Sequence, residues 1–309
     1  MPEFFFIKAY SKNKSLAYFR KPKINSKIIN QNSEILLPGP IGVFDSGYGG
    51  LTILKELVNQ LPQYDYIYLG DNARSPYGNR SFDTVTNYTQ QCVQELFNLG
   101  CNLVILACNT SSAKALRSIQ QNYLPEDAPN RRVLGVIRPT TEIVGNYTQT
   151  GHIGILGTSG TVASDSYPIE ISKFFPEIKV FQQACPMWVP LVENNEFNGE
   201  GADYFIKKYF DELFLQSSEI DTIVLGCTHY PLLLKKIKEF LPSQIKIISQ
   251  DKIVADSLKD YLIRHSEINE VCEKNFKRMF YTTDDTKTFN QIAGLFFGAK
   301  VESRHIEIK

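Results

Sequence analysis

The sequence predicts an α/β protein of two similar lobes with largely parallel sheets, and three observations carry that reading. Short runs of Val, Ile and Leu alternate with longer amphipathic segments along most of the chain. Those runs are near-continuous rather than alternating, the pattern of strands buried on both faces by flanking helices. A strand–turn–helix unit also recurs: IGVFDSG begins at 41 and IGILGTSG at 153, while LVILACNTSSAKAL begins at 103 and TIVLGCTHYPLLLK at 222. Two such halves, related by a pseudo-two-fold axis, enclose a cleft at the carboxyl ends of their strands, where open α/β sheets hold ligands.

The elements follow in chain order. Strands are expected near 41–44, 66–69, 103–107, 133–137, 153–156, 178–182, 222–225 and 245–248. Helical periodicity fills the gaps at 50–60, 83–98, 111–122, 140–147, 164–174, 202–215, 232–241, 252–264 and 286–297. Ahead of the first strand, residues 1–40 carry seven Lys or Arg against two Glu, a net of +5, so the remaining 269 sum to −5. The FFFI run at 4–7 is too short for a secretory core, and no small-residue cleavage site follows it.

Composition excludes several classes. At 309 residues, 43% hydrophobic and 21% charged, the chain can bury a real core and is not disordered throughout. Its zero net charge leaves no protein-wide basic footprint for nucleic acid. No apolar run approaches a membrane span. Six Cys, at 92, 101, 108, 185, 227 and 272, form no CxxC pair, which fits reduced thiols in a cytoplasm.

The chemistry gathers at the repeated turns. Cys108 ends a strand, and Asn109, Thr110 and Ser111 are helix-capping types ahead of AKAL. Gly226-Cys-Thr-His-Tyr-Pro repeats the design, and His229 stands two residues after Cys227, within reach of proton exchange with a thiol. A buried structural thiol is the ordinary use of any single Cys, and Cys92, Cys101 and Cys272 take that reading. A zinc site from Cys108, Cys227 and His229 lacks the usual close-spaced ligand pairs. A Cys–His hydrolase leaves the second turn unexplained. Gly47, Gly49 and Gly50 do not make GxGxxG, so the dinucleotide reading is weak; Asp45 and Ser46 still sit at the tip of the first strand, facing the same cleft.

DSGYGGL at 45–51, SPYG at 75–78, ACNTSSA at 107–113, PLVE at 190–193 and GCTHYPLL at 226–233 stand in the order of a known family. Together they resemble the glutamate racemases, within the cofactor-independent aspartate/glutamate racemase superfamily, over about residues 40 to 300. The resemblance implies interconversion of L- and D-glutamate with neither cofactor nor metal, supplying D-glutamate for peptidoglycan in a bacterial cytoplasm, commonly by a homodimer. It implies no nucleic-acid or membrane partner. Cys108 and Cys227 then look like the two bases flanking the α-carbon, the first acting on D-glutamate and the second on L-glutamate. Asp45 resembles the partner of Cys108, and His229 that of Cys227. Ser46, Tyr77, Gly78, Asn109, Thr110 and Thr228 resemble the substrate shelf, and Glu193 matches an acidic position near the second Cys. The resemblance also returns the segment from about 250 to the first lobe, giving lobes of 41–138 plus 250–309 and of 139–249.

Racemisation needs an acid on one face and a base on the other, which two near-symmetric halves provide. Two rivals stand beside this reading. A racemase for aspartate or another acidic amino acid would use the same Cys pair. A non-catalytic carboxylate-binding module would hold the fold with inert thiols, and iodoacetamide protection by substrate separates it from an enzyme. Some family members carry an N-terminal arm tied to activation by a UDP-muramoyl-alanine precursor. Composition reads residues 1–40 as readily as a disordered tail or a start assigned too far upstream. Deleting residues 1–38 is expected to leave basal activity intact, measured on folded protein; lost activity there would contradict the tail reading.

Overall fold

The computed structural model describes residues 36–308, so the basic extension, apart from residues 36–40, lies outside the described residues. Among the described residues ten strands form two all-parallel sheets. The strands are β1 (Ile41–Asp45), β2 (Tyr66–Gly70), β3 (Leu103–Leu106), β4 (Arg132–Gly135) and β5 (His152–Gly157). They continue with β6 (Lys179–Ala184), β7 (Thr222–Gly226), β8 (Lys246–Ile248), β9 (Arg278–Thr282) and β10 (Ser303–His305). The first sheet runs β10-β9-β2-β1-β3-β4 and the second β6-β5-β7-β8. Within the first, the order 2-1-3-4 is the same as 6-5-7-8 in the second. The repeated sequences are therefore the paired central strands, β1 with β5 and β3 with β7.

Double-sided burial explains the continuous apolar runs. Ile41 and Val43 of β1, Tyr66 and Tyr68 of β2, and Leu103 and Ile105 of β3 face one core. Phe44, Ile67, Leu69, Val104 and Leu106, from the opposite faces, enter a second core against the helix Phe82–Asn98. In the other sheet Ile153, Ile155 and Val224 face a third core, while Leu156, Ile223 and Leu225 join the first.

Several elements differ from the periodicity. The segment 111–122 is a chain of short turns, Asn109–Lys114, Leu116–Ser118 and a π-helical turn Ile119–Tyr123. The helix expected over 164–174 begins earlier and breaks at Asp165, whose φ of 52° interrupts Ser159–Ala163 and Ser166–Phe174. Trp188–Glu193 is helical despite Pro190, which sits in the first turn, where proline costs no hydrogen bond. Strands β9 and β10 were not read from the sequence: RMFYT carries little aliphatic character, and SRH is a short polar edge.

What brings β9 home is a set of fixed contacts. Register pairs Tyr66 with Arg278 and Gly70 with Thr282. Asp65, wholly buried, accepts from Asn275 N at 2.8 Å, Asn275 Nδ2 at 3.0 Å and Lys277 N at 2.9 Å. Gly39 is tied to the same segment: Gly39 N donates to Val271 O at 3.0 Å and Glu273 N to Gly39 O at 2.9 Å. Burial raises the Asp65 carboxyl, but the donors on Lys277 and Asn275 outweigh it and hold the carboxyl below its ordinary range. A lowered carboxyl stabilises the fold above its ordinary pKa, and that contribution is lost as pH falls through the lowered value. Asp65→Asn should cost about 2 kcal/mol in denaturant unfolding near neutral pH. The deficit should shrink on acidification, and a pH-independent deficit would contradict the assignment.

Candidate active site

The two lobes meet where β1, β3 and β7 end. After β1 the chain turns through Ser46–Gly49 into the helix Gly50–Gln60. A Cβ at Gly49 would lie 2.2 Å from Thr228 Oγ1 and 2.4 Å from His229 Nδ1, so only glycine lets the second lobe's cysteine turn dock here. Asp45, wholly buried, accepts from Gly47 N at 2.9 Å through Oδ1 and from Thr228 Oγ1 at 3.4 Å through Oδ2. Burial pushes its carboxyl up, opposed by the nearby His229 and the Gly47 N–H.

Cys108 caps the helix Asn109–Lys114. Its Sγ accepts from Ser111 N at 3.5 Å and lies 3.5 Å from Ser46 Oγ. Burial, then the Asp45 carboxylate, pushes the Cys108 thiol up to about 11, against the donors on Ser111 and Ser46. On the other side, Cys227 Sγ lies 3.8 Å from His229 Nδ1, and His229 Nε2 lies 3.0 Å from Glu193 Oε1. Burial pushes His229 down, but Cys227 and Glu193 more than reverse it and raise the imidazole to about 10. At neutral pH the ring is therefore an imidazolium, donating from Nε2 to Glu193 and from Nδ1 to Cys227. The thiols occupy equivalent turns with opposite neighbours, a carboxylate beside Cys108 and a cation beside Cys227.

Between them lies a cavity of about 130 Å³. Every residue singled out from the sequence borders it: Asp45, Ser46, Tyr77, Gly78, Cys108, Asn109, Thr110, Glu193, Cys227, Thr228 and His229. Two of them present less than their side chains suggest. The hydroxyl of Tyr77 donates to buried Asp71, which Arg74 Nε also holds at 2.7 Å, so the phenol is engaged away from the cavity. Asn109 has its Oδ1 on Tyr167 Oη and its Nδ2 on Gln250 Oε1, each at 2.8 Å. Gly78 O accepts from Gly160 N at 2.6 Å, a backbone bond joining the halves, and Thr110 Oγ1 meets Thr158 Oγ1 at 3.0 Å.

The sequence reading missed five polar or sulfur groups of the wall: Ser75, Asn79, Thr158, Ser159 and Cys185. The repeat held the signal for three of them. Thr158 and Ser159 follow β5 as Ser46 and Gly47 follow β1, and Cys185-Pro186 comes after β6 as Ser75-Pro76 comes after β2. No Lys or Arg lines the cavity, so a carboxylate inside would be held by hydroxyls, amides and backbone N–H groups. Among the described residues no group of three or more His, Cys, Asp and Glu side chains is placed to hold a metal ion.

A double α/β fold with one thiol at the end of each half defines a racemase class. The chain belongs to the Asp/Glu/hydantoin racemase family, which it matches over residues 41–257. Its relatives within that family include glutamate racemases. It is 39% identical over 272 residues to the glutamate racemase of Streptococcus gordonii, covering 87% of this chain and 98% of the relative. It is 37% identical over 268 residues to that of Persephonella marina, covering 87% and 97%. Among solved structures, glutamate racemase from Francisella tularensis in complex with D-glutamate superposes with a TM-score of 0.77 at 31% identity, covering 87% of this chain and 98% of that one.

The Glu193 carboxylate should govern the charge of His229. In the wild type the ring stays protonated through neutral pH and titrates near 10. Its contribution to stability is complete below about 6.5 and lost as pH rises through about 10. Glu193→Gln should lower the titration by about one unit or more, followed by NMR of labelled imidazole. An unchanged midpoint would remove Glu193 from that role.

Proposed function

We propose that this protein is a glutamate racemase that inverts the α-carbon by proton transfer between Cys108 and Cys227. The observation that carries the reading is the placement of both thiols on one cavity, with unlike partners. Starting from L-glutamate, the Cys227 thiolate takes the α-proton, and the electron pair of the broken C–H bond passes to the α-carbon and into its carboxylate. The Cys108 thiol gives its proton to the opposite face, and the enzyme is left with a Cys108 thiolate and a Cys227 thiol. The return reaction runs from that state.

The neighbours suit each step. His229 Nδ1 faces Cys227 Sγ at 3.8 Å, where it can hand over or receive a proton, and Glu193 keeps the ring charged. Asp45 disfavours a resting thiolate at Cys108, which keeps that thiol protonated and in place to donate and makes its thiolate, once formed, a strong base. Both thiols are only 6% exposed, so little water competes for the carbanion. Ser46, Thr110, Thr228, the free N–H of Asn109 and the backbone of Tyr77–Gly78 form the shelf for the substrate's carboxylates. Tyr77 serves there through its main chain, since its hydroxyl is engaged by Asp71.

The same proposal covers the setting of the activity. It supplies D-glutamate for peptidoglycan in the cytoplasm, from a homodimer whose protomers have lobes of 41–138 plus 250–309 and of 139–249. Among the described residues no helix is long and apolar enough to cross a membrane. Control by a UDP-muramoyl-alanine-type activator belongs to the proposal too.

The deciding experiment follows α-deuterium incorporation and chirality of L-glutamate in D₂O with no cofactor added, aspartate serving as control. Exchange with inversion is expected for glutamate. Cys108→Ser and Cys227→Ser should each slow inversion by about 10³-fold or more. Inversion at the wild-type rate in either variant would overturn the two-thiol mechanism.

A further inference from the structure

Asn109 borders the cavity directly after Cys108, yet its amide is gripped from behind by residues outside every motif of the site. Its Oδ1 accepts from Tyr167 Oη at 2.8 Å, and its Nδ2 donates to Gln250 Oε1 at 2.8 Å. Gln250 gives its own amide protons to Val136 O at 3.0 Å and Thr140 Oγ1 at 3.1 Å. The whole chain of contacts is out of water: Asn109 is 2% exposed, Gln250 3%, and Tyr167 and Thr140 0%.

Chemistry alone orients both amides. A peptide carbonyl only accepts, so Gln250 Nε2 must face Val136 O. Gln250 Oε1 then faces Asn109, which must answer with Nδ2, and Oδ1 is left for the tyrosine hydroxyl. A flipped Asn109 would set its Oδ1 against Gln250 Oε1, two buried acceptors with no proton between them. Asn109 Nδ2 carries two protons, and among the described residues the protein takes one of them. The other belongs to a side chain that lines the cavity.

The parts of this lock come from different places in the fold. Val136 and Thr140 lie just after β4, where the chain leaves the first lobe. Gln250 lies just after β8, where it returns, and Tyr167 stands in the second lobe on the helix Ser166–Phe174. Both connections between the lobes thus converge on one amide beside Cys108.

We propose that Gln250 and Tyr167 are positioning residues that hold Asn109 so that its free Nδ2 proton meets a carboxylate of the substrate. The inference rests on the racemase reading above, and its signature is in binding rather than in proton transfer. Removing the lock frees the Asn109 amide to rotate, which weakens substrate capture while the thiols and their partners stay in place.

The test is a double-mutant cycle on the full chain, read as KM and kcat for both glutamate enantiomers. Gln250→Leu should raise KM about tenfold with a smaller change in kcat. Tyr167→Phe, which keeps the ring and removes one donor, should raise KM about threefold. Asn109→Ala raises KM by itself. In that background neither Gln250→Leu nor Tyr167→Phe should raise it further, because both act through the missing amide. A merely structural role would instead persist in the Asn109→Ala background. That result, or an unchanged KM in a folded variant, would overturn the proposal. Should Gln250→Leu fail to fold, the Tyr167→Phe arm of the cycle decides alone. The wild-type exchange experiment separates the two levels: wild-type inversion with a flat cycle sinks only the positioning role, whereas no wild-type inversion removes the racemase reading and this inference with it.

Discussion

A methyl group at position 49 would press within 2.2 Å of Thr228 Oγ1, and the absence of that methyl lets the two lobes meet as closely as they do. Through this contact Thr228 reaches Asp45, and His229 comes to rest between Cys227 and Glu193. The cavity is the residue of that approach: space that remains when two sheets of the same design are brought strand end to strand end. Separate the turns by a few ångströms and Asp45 loses its donor from the other half. The buried charges would then be wetted and their unusual proton affinities would relax toward ordinary values.

The sheet orders show that the halves share one plan, but the site is not symmetric in charge. A duplicated scaffold supplies two thiols in equivalent positions. Differences in the neighbours then give them unequal surroundings. Asp45 ends β1 where Gly157 ends β5, and His229 stands two residues after Cys227 where Thr110 stands two after Cys108. Geometry is inherited from the repeat, and proton affinity is set by the few residues that depart from it.

Much of this was legible in the sequence, for a physical reason. Strands buried on both faces are written as uninterrupted Val, Ile and Leu, so eight of the ten strands could be read directly. The turns that carry chemistry repeat, and all the residues taken from them border one cavity. What escaped depends on partners far away in the chain. Strand β9 is a strand because Asp65 and β2 receive it. The phenol of Tyr77 turns from the cavity because Asp71 is buried beneath it, and Gln250 matters because two crossovers meet there. No local pattern encodes such meetings.

The return of the chain to its first sheet has a consequence for how the molecule is made. Strand β2 waits for a neighbour whose first residue, Arg278, is paired with Tyr66, and the outer strand β10 ends at His305. The second sheet, by contrast, is contained between His152 and Ile248. During synthesis the later lobe therefore has all its strands before the earlier one does, and the half holding Asp45 and Cys108 is finished last. Until the final residues leave the ribosome, an apolar strand edge stands open at β2. A chain that stops a few dozen residues short would carry every side chain of the cavity and still lack the sheet that holds half of them still.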